Sequence, residues 1–370
     1  MINKMKLKIV IILIMAGVLL SGCVSKQPVE PATNGQTTKT FESVTLNGAG
    51  ATFPYPLISK WSSEYNKINP EAQINYQSVG SGAGIKQITA RTVDFGASDA
   101  PLTDKEFADV SGILQIPESI GAVVIAYNIP GIQKGMKLSG EVIGEIFLGN
   151  IKKWNDPKIV SINPGIQFPE KDIIVAHRSD GSGTTFVLTD YLSTVCPDWR
   201  SKVGKGKSVN WPVGLGGKGN EGVAGLLTQN PYTIGYIELA YAKLQNIPYA
   251  SIRNKAGNFI EPTLETTASA AAGAVETLPA GDASWSSVSI VDPQGNDSYP
   301  IGSFTYLLVY KDQTDQTKGK MLAEFLWWAV HDGQKYSSEL LYVQLPNEVI
   351  SLNEKTIKLM NYKGQPLIQG

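Results

Sequence analysis

From residue 44 onward, short β-branched or aromatic runs alternate with stretches whose apolar residues recur at helical spacing. Residues 54–68 (PYPLISKWSSEYNKI) place apolar side chains three and four apart, with Pro54 suited to a first helical turn, and predict a helix. Residues 73–79 read as a strand, 84–92 as a helix and 93–97 as a short strand. Thr103 with Glu106 three residues later predicts a capping box that opens another helix. Residues 122–127 (AVVIAY), 173–176, 233–237 and 304–310 (FTYLLVY) read as strands. Residues 184–193, 223–227, the Ala-rich 267–275 and 318–330 read as helices, and 355–370 as surface helix and tail. This alternation predicts an α/β architecture.

The pattern before residue 44 is different in kind. Lys4, Lys6 and Lys8 precede an apolar run of about a dozen residues, short for a membrane-spanning helix. Leu20-Ser21-Gly22-Cys23 follows, the order of small residues and cysteine expected of a lipobox. Residues 1–22 are therefore expected to be a signal peptide and Cys23 to carry a lipid (palmitate). Residues 23–43 are rich in Pro, Thr, Gln and Lys, as in a flexible tether. That arrangement predicts a protein anchored in the cell membrane with its folded part on the extracytoplasmic, periplasm-facing side.

Composition narrows the functional classes. The chain has 370 residues, enough for two substantial cores, and a formal net charge of −1. No global basic field exists to hold nucleic acid, so an anionic ligand would need a local site. The only cysteine besides Cys23 is Cys196, read as a small packed residue. The two histidines, His177 and His331, lie far apart and no CxxC motif exists, which argues against a zinc site. No cofactor is expected.

Four segments share one grammar of glycine-rich turn, hydroxyl residue and helix start: 48–54 (GAGATFP), 80–84 (GSGAG), 96–101 (GASDAP) and 178–185 (RSDGSGTT). A helix N-terminus presents unsatisfied N–H groups and the positive end of the helix dipole. Glycine lets a ligand approach the backbone, and a Ser or Thr hydroxyl adds an adjustable donor. Any one segment is weak support for an oxyanion cradle, because Ser and Thr are common caps. Four together, one with an arginine, point to anion binding.

The runs 48–56 (GAGATFPYP), 79–88 (VGSGAGIKQI), 93–103 (VDFGASDAPLT), 128–131 (NIPG), 151–156 (IKKWND), 178–187 (RSDGSGTTFV) and 211–223 (WPVGLGGKGNEGV) closely resemble the phosphate-binding proteins of Pst-type ABC transporters. The resemblance covers residues 44–370 and implies a two-lobed periplasmic-binding-protein type II fold with the ligand between the lobes. Lobe I would be discontinuous, from 44–120 plus 299–370, and lobe II would be 121–298. The implied ligands of inorganic phosphate are Thr52, the Phe53 backbone, Ser81 and Asp99 from the first lobe. Arg178, Ser182, the Gly183 N–H and Thr184 come from the second, with Asp180 orienting Arg178. The implied partners are the permease subunits of an ABC importer with their cytoplasmic ATPase, and the binding protein is expected to be a monomer. The sequence departs from the family pattern at His177 and Ala83.

Asp99 is the residue a generic anion site would not contain. An ionised carboxylate only accepts hydrogen bonds. Phosphate near neutral pH keeps a proton to offer it, whereas sulfate has none. A site built around a substrate donor rejects an analogue lacking it by roughly 10⁴–10⁵. An enzyme is disfavoured because Ser182 lies in no G-x-S-x-G elbow and no metal ligands accompany it. The G-x-G-x-x-G run at 214–219 lies far from the first βα unit and reads as a glycine-rich loop near the cleft. Binding of another tetrahedral oxyanion, or phosphate sensing without transport, remain the alternatives.

Overall fold

The computed structural model describes residues 43–368; the expected signal peptide, Cys23 and all but the last residue of the tether lie outside the described residues. The strands are β1 Val44–Gly50, β2 Ala72–Ser78, β3 Phe95–Ser98, β4 Ile113–Asn128, β5 Lys137–Leu138, β6 Ile174–Arg178, β7 Leu215–Gly217, β8 Thr233–Glu238, β9 Ser251–Arg253, β10 Phe259–Ile260, β11 Gly302–Tyr310, β12 Asn361–Tyr362 and β13 Gln365–Pro366. The helices are α1 Tyr55–Ile68, α2 Ser81–Thr89, α3 Asp104–Asp109, α4 Gly140–Phe147, α5 Pro157–Ser161, α6 Gly183–Val195, α7 Pro197–Lys202, α8 Gly219–Gln229, α9 Leu239–Leu244, α10 Leu264–Ala272, α11 Gln316–Val330 and α12 Asn347–Ile357. Among the described residues no helix is long and apolar enough to cross a membrane.

Eight strands form one mixed sheet in the order β2-β1-β3-β11-β4-β8-β6-β7. Strand β4 joins its two halves. Ile113 to Ala122 pair antiparallel with β11, whereas Val123 to Asn128 pair antiparallel with β8. In the first half β1 runs parallel to both β2 and β3, and in the second β6 runs parallel to β7 and β8. Parallel strands must be joined by crossovers, and here the crossovers are helices. The α/β expectation is met, with both ends of each crossover at strand termini.

Strand β4 is much longer than the 122–127 run that announces it. All of its residues except Asn128 are buried, because it lies mid-sheet with α8, α9, α10 and α12 packed on it. Its first part is hidden in sequence by Pro117-Glu118-Ser119, which reads as a break. The pairing shifts register there, opposite Thr305 and Tyr306. A bulge of this kind accommodates a proline within a ladder.

The capping box read from Thr103 and Glu106 is present and opens α3 at Asp104, soon after segment 96–101. One further expectation changes. The last helix runs over Asn347–Ile357 and buries Val349, Asn353, Thr356 and Ile357, and a β12–β13 hairpin follows it. Trp328 packs against Tyr65 and Phe325, in keeping with a core role. Cys196 is buried and unpaired, against the face of Gly144.

Candidate functional site

Residues 52–53 follow β1, residues 80–81 follow β2 and Asp99 follows β3. Residues 178–184 follow β6 and residues 218–220 follow β7. Carboxyl ends of parallel strands are where α/β sheets place ligand sites, since the following helices aim their N-termini there. The two halves of the sheet turn these ends toward one another. Thr52, Ser81, Asp99, Arg178, Ser182 and Thr184 are all buried at the junction.

The junction is stitched by hydrogen bonds from one half to the other. Gly82 N–H donates to the Gly181 carbonyl at 2.9 Å. Gly183 N–H donates to Ser81 Oγ at 3.0 Å, and Asp99 N–H reaches the same oxygen at 3.4 Å. Thr184 Oγ1 donates to Asp99 Oδ2 at 3.2 Å. A side chain at Gly183 would place its Cβ 2.6 Å from the Asp99 Cβ, so only glycine allows this approach. Outside the cluster, Lys207 Nζ pairs with Glu106 Oε2 at 2.6 Å, while the Lys207 carbonyl accepts from Ser182 N–H at 2.8 Å.

Arg178 is 3% exposed and held by Asp180 through both oxygens, Nε to Oδ1 at 2.8 Å and Nη2 to Oδ2 at 2.5 Å. Burial opposes the guanidinium charge, but Asp180 outweighs it and the pKa is raised. The third face of the fork, Nη1, lies 3.4 Å from Thr184 Oγ1. Asp180 is fixed in turn by Gly219 N–H at 3.0 Å. Ser182 caps α6 by accepting from Thr185 N–H at 3.0 Å.

Asp99 stands out among these groups. One oxygen accepts from Thr184, while the other, Oδ1, is buried with no hydrogen-bond partner among the described residues. Burial pushes its pKa up to about 7, although Arg178 and Thr184 pull it down. Arg178 and Asp180 cancel, so the formal charge of the cluster is that of Asp99 alone. The remaining groups are dipoles: hydroxyls and backbone amides.

The neighbourhood of Thr52 and Phe53 is built from both halves. Thr52 Oγ1 accepts from Asn220 N–H at 3.1 Å and Asn220 Nδ2 at 2.8 Å. The Thr52 carbonyl accepts from Tyr241 Oη at 2.6 Å, and the Phe53 carbonyl from Tyr342 Oη at 2.7 Å. The Phe53 ring is buried and tilts against Tyr342.

Comparison with known proteins gives the family. A profile described as the PBP superfamily domain matches residues 31–332. The phosphate-binding protein PstS of Pasteurella multocida (strain Pm70) is 47% identical over 312 residues, spanning 84% of this chain and 89% of its own. Its namesake in Methanocaldococcus jannaschii is 38% identical over 369 residues, spanning 94% and 93%. The chain belongs to the PstS family of the PBP superfamily. Among solved structures, a phosphate-binding protein from Stenotrophomonas maltophilia superposes with a TM-score of 0.66 at 20% identity, covering 84% of this chain and 94% of that one. A high-affinity periplasmic phosphate-binding protein (PfluDING) bound with phosphate superposes with a TM-score of 0.67 at 21% identity, covering 83% and 92%. At that identity they speak to the fold, which is the two-lobed α/β fold with a cleft between lobes.

Within this PstS-family chain the structure brings together all the residues that sequence singled out: Thr52, Phe53, Ser81, Asp99, Arg178, Asp180, Ser182, Gly183 and Thr184. Sequence reasoning missed Asn220, Tyr241, Tyr342 and Lys207. Asn220 directly follows the G-x-G-x-x-G run at 214–219, so that run was the available signal. His177, the departure from the family pattern, stacks on Trp211 and sets its Nδ1 against the Arg178 carbonyl, outside the cluster.

Proposed function

We propose that this chain captures inorganic phosphate outside the cytoplasm and hands it to an ABC import permease. The observation that carries the reading is Asp99 Oδ1, a buried acceptor without a partner among the described residues, set amid donors and one arginine. When Asp99 is ionised, only a ligand that brings its own proton satisfies it. Phosphate does, and the phosphate-binding names of the relatives agree. The PstS-family membership supports transport as the destination.

In this reading the Thr52, Ser81 and Ser182 hydroxyls and the Phe53, Gly183 and Thr184 N–H groups donate to the phosphate oxygens. Arg178 supplies the positive charge, oriented by Asp180, and Asp99 accepts the phosphate O–H. Hydrogen bonds to a charged group contribute about 1.5–3 kcal/mol each, so neutral dipoles suffice once the anion is dehydrated. The count of protons matters more than where each sits: a protonated Asp99 with HPO₄²⁻ and an ionised Asp99 with H₂PO₄⁻ both place one proton between the two oxygens.

The lobes would comprise 44–120 plus 299–370 and 121–298. The change of β4's partner between Ala122 and Val123 supports a hinge there, along with the return of the chain at β11. Lobe closure would complete the shell and present a shape the permease can read. Cys23 would anchor the protein by lipid, with 24–43 as the tether; mass spectrometry of the membrane-extracted protein checks that by the lipid mass on an N-terminal peptide starting at Cys23.

The test is calorimetric titration of phosphate-stripped protein with phosphate and sulfate at about pH 9, where Asp99 is ionised. One-to-one phosphate binding without sulfate heat is expected. Equal affinity for both anions, or no phosphate heat from folded protein, overturns the reading.

A further inference from the structure

The glycine-rich run 214–219 ends at Gly219, and the next residue, Asn220, is fully buried at the start of α8. Its amide orientation is fixed by chemistry. Asn220 Oδ1 accepts from the Glu238 backbone N–H at 3.0 Å, and a backbone N–H can only donate. The NH₂ must therefore face the opposite way, toward Thr52 Oγ1 at 2.8 Å and Thr184 Oγ1 at 3.3 Å.

That orientation decides where two hydroxyl protons go. A hydroxyl has two lone pairs and one proton. Thr52 Oγ1 receives both the backbone N–H and the side-chain NH₂ of Asn220, which fills its acceptor capacity. Its proton is left to donate. Thr184 Oγ1 likewise receives Asn220 Nδ2 and Arg178 Nη1, and its proton goes to Asp99 Oδ2. With Oδ2 engaged, the acceptor offered to a ligand is Oδ1, the oxygen that has no partner among the described residues.

We propose that Asn220 is the positioning residue that sets the polarity of the anion cradle. It turns Thr52 into a donor-only hydroxyl facing the anion and commits Thr184 to Asp99, so one acceptor confronts a set of donors. This rests on the phosphate-capture reading above. Asn220 acts through Thr52 and Thr184 rather than by touching the anion.

A double-mutant cycle tests this with phosphate calorimetry on the stripped protein: wild type, Asn220→Ala, Thr52→Val and the pair. Asn220→Ala is expected to weaken phosphate binding by about 10–100-fold in the wild-type background, and by a several-fold smaller factor, the part carried by Thr184, once Thr52→Val has removed the other hydroxyl. A general loosening of the fold would weaken binding equally in both backgrounds, and that result overturns the proposal, as does wild-type affinity in Asn220→Ala. If Asn220→Ala does not fold, Asn220→Asp keeps the shape and the bond to Glu238 N–H but replaces the donor by an acceptor. The Thr52 proton then turns to the new carboxylate instead of the anion. The loss is again expected to be larger with the threonine in place than in the Thr52→Val background; equal losses refute the idea. Absence of phosphate binding by the wild type overturns both this proposal and the reading beneath it.

Discussion

Two regions of the molecule bury carboxyl groups, and they do so to different ends. At the cradle, Asp99 leaves Oδ1 without a partner among the described residues. Where β4 passes from one half of the sheet to the other, Glu118 and Glu238 each leave one oxygen without a partner among those residues too. All three have raised pKa values, each chiefly from burial. The difference lies in what faces them. Asp99 looks at Arg178, a charged fork with fixed geometry, and at hydroxyls whose protons are directed. Glu118 Oε1 has only Thr305 Oγ1 at 3.1 Å, and Glu238 Oε2 has the Ala240 N–H at 2.8 Å and Tyr342 Oη at 3.3 Å. With no cation among the described residues to support a negative charge, burial and the nearby Asp99 push Glu118 up to about 8. An orphaned carboxyl oxygen thus marks a ligand site only when its neighbours can carry the ligand's charge. Elsewhere it marks an acid kept neutral.

Removing the cation is the hardest blow to this contrast. Arg178→Ala leaves Asp180 and Asp99 facing the anion uncompensated, and unpairing a buried charge costs about 3–5 kcal/mol. Phosphate affinity is expected to fall by about 10³-fold or more by calorimetry, with circular dichroism confirming the fold. A loss below tenfold would make the cradle no different from the acids beside β4. The next largest effect is expected from Asp99→Asn. Thr184 Oγ1–H still needs an acceptor, so the new amide turns its oxygen to Thr184 and its NH₂ toward the anion. A donor replaces the acceptor. Phosphate weakens, sulfate strengthens, and the phosphate-to-sulfate preference is expected to shrink by about 10³-fold or more.

The pH dependence sharpens the same point at smaller scale. Asp99 is raised to about 7, so below that pH it carries its own proton and can donate to sulfate. Above it the proton is lost. Apparent sulfate affinity is expected to fall by about tenfold for each pH unit above 7, while the wild type discriminates least in mild acid. A flat sulfate profile between about pH 5 and pH 9 would remove Asp99 from the discrimination.

How much of this was legible in the sequence depends on distance along the chain. Thr52, Ser81 and Ser182-Gly183-Thr184 announce themselves because glycines and hydroxyls sit side by side where a strand meets a helix. Asp99 is legible for the opposite reason, a carboxylate where an anion is expected. Asn220 had only the glycine-rich run before it as a signal, and Tyr241 and Tyr342 were not legible. The two tyrosines reach residues 52 and 53 across 189 and 289 positions, and no local pattern encodes such a partner. The first part of β4 failed for another reason. Its polar centre, Pro117-Glu118-Ser119, looks like a turn, and only burial on both faces with a bulge makes it a strand.

The smallest expected effect is at Glu118, and its sign is opposite. Glu118 has a normal carboxyl pKa near 4.5 when unfolded and about 8 when folded. The folded state therefore holds a proton that the unfolded chain releases, and stability falls as pH rises from about 4.5 to about 8. Below that window the acid is neutral in both states and imposes nothing. Glu118→Gln keeps the shape and an acceptor for Thr305 while removing the titration. At about pH 8 to 9 the variant is expected to be more stable by about 1–3 kcal/mol, raising Tm by a few degrees, with little change near pH 4. Its phosphate affinity is expected to stay within about threefold of wild type, since the side-chain hydrogen bond of Glu118 goes to Thr305 and not to a group of the cradle. Thermal melts across pH, beside one titration, decide it. A variant that is destabilised at about pH 8 would show that Glu118 is ionised and supported after all, and would erase the distinction between the two regions.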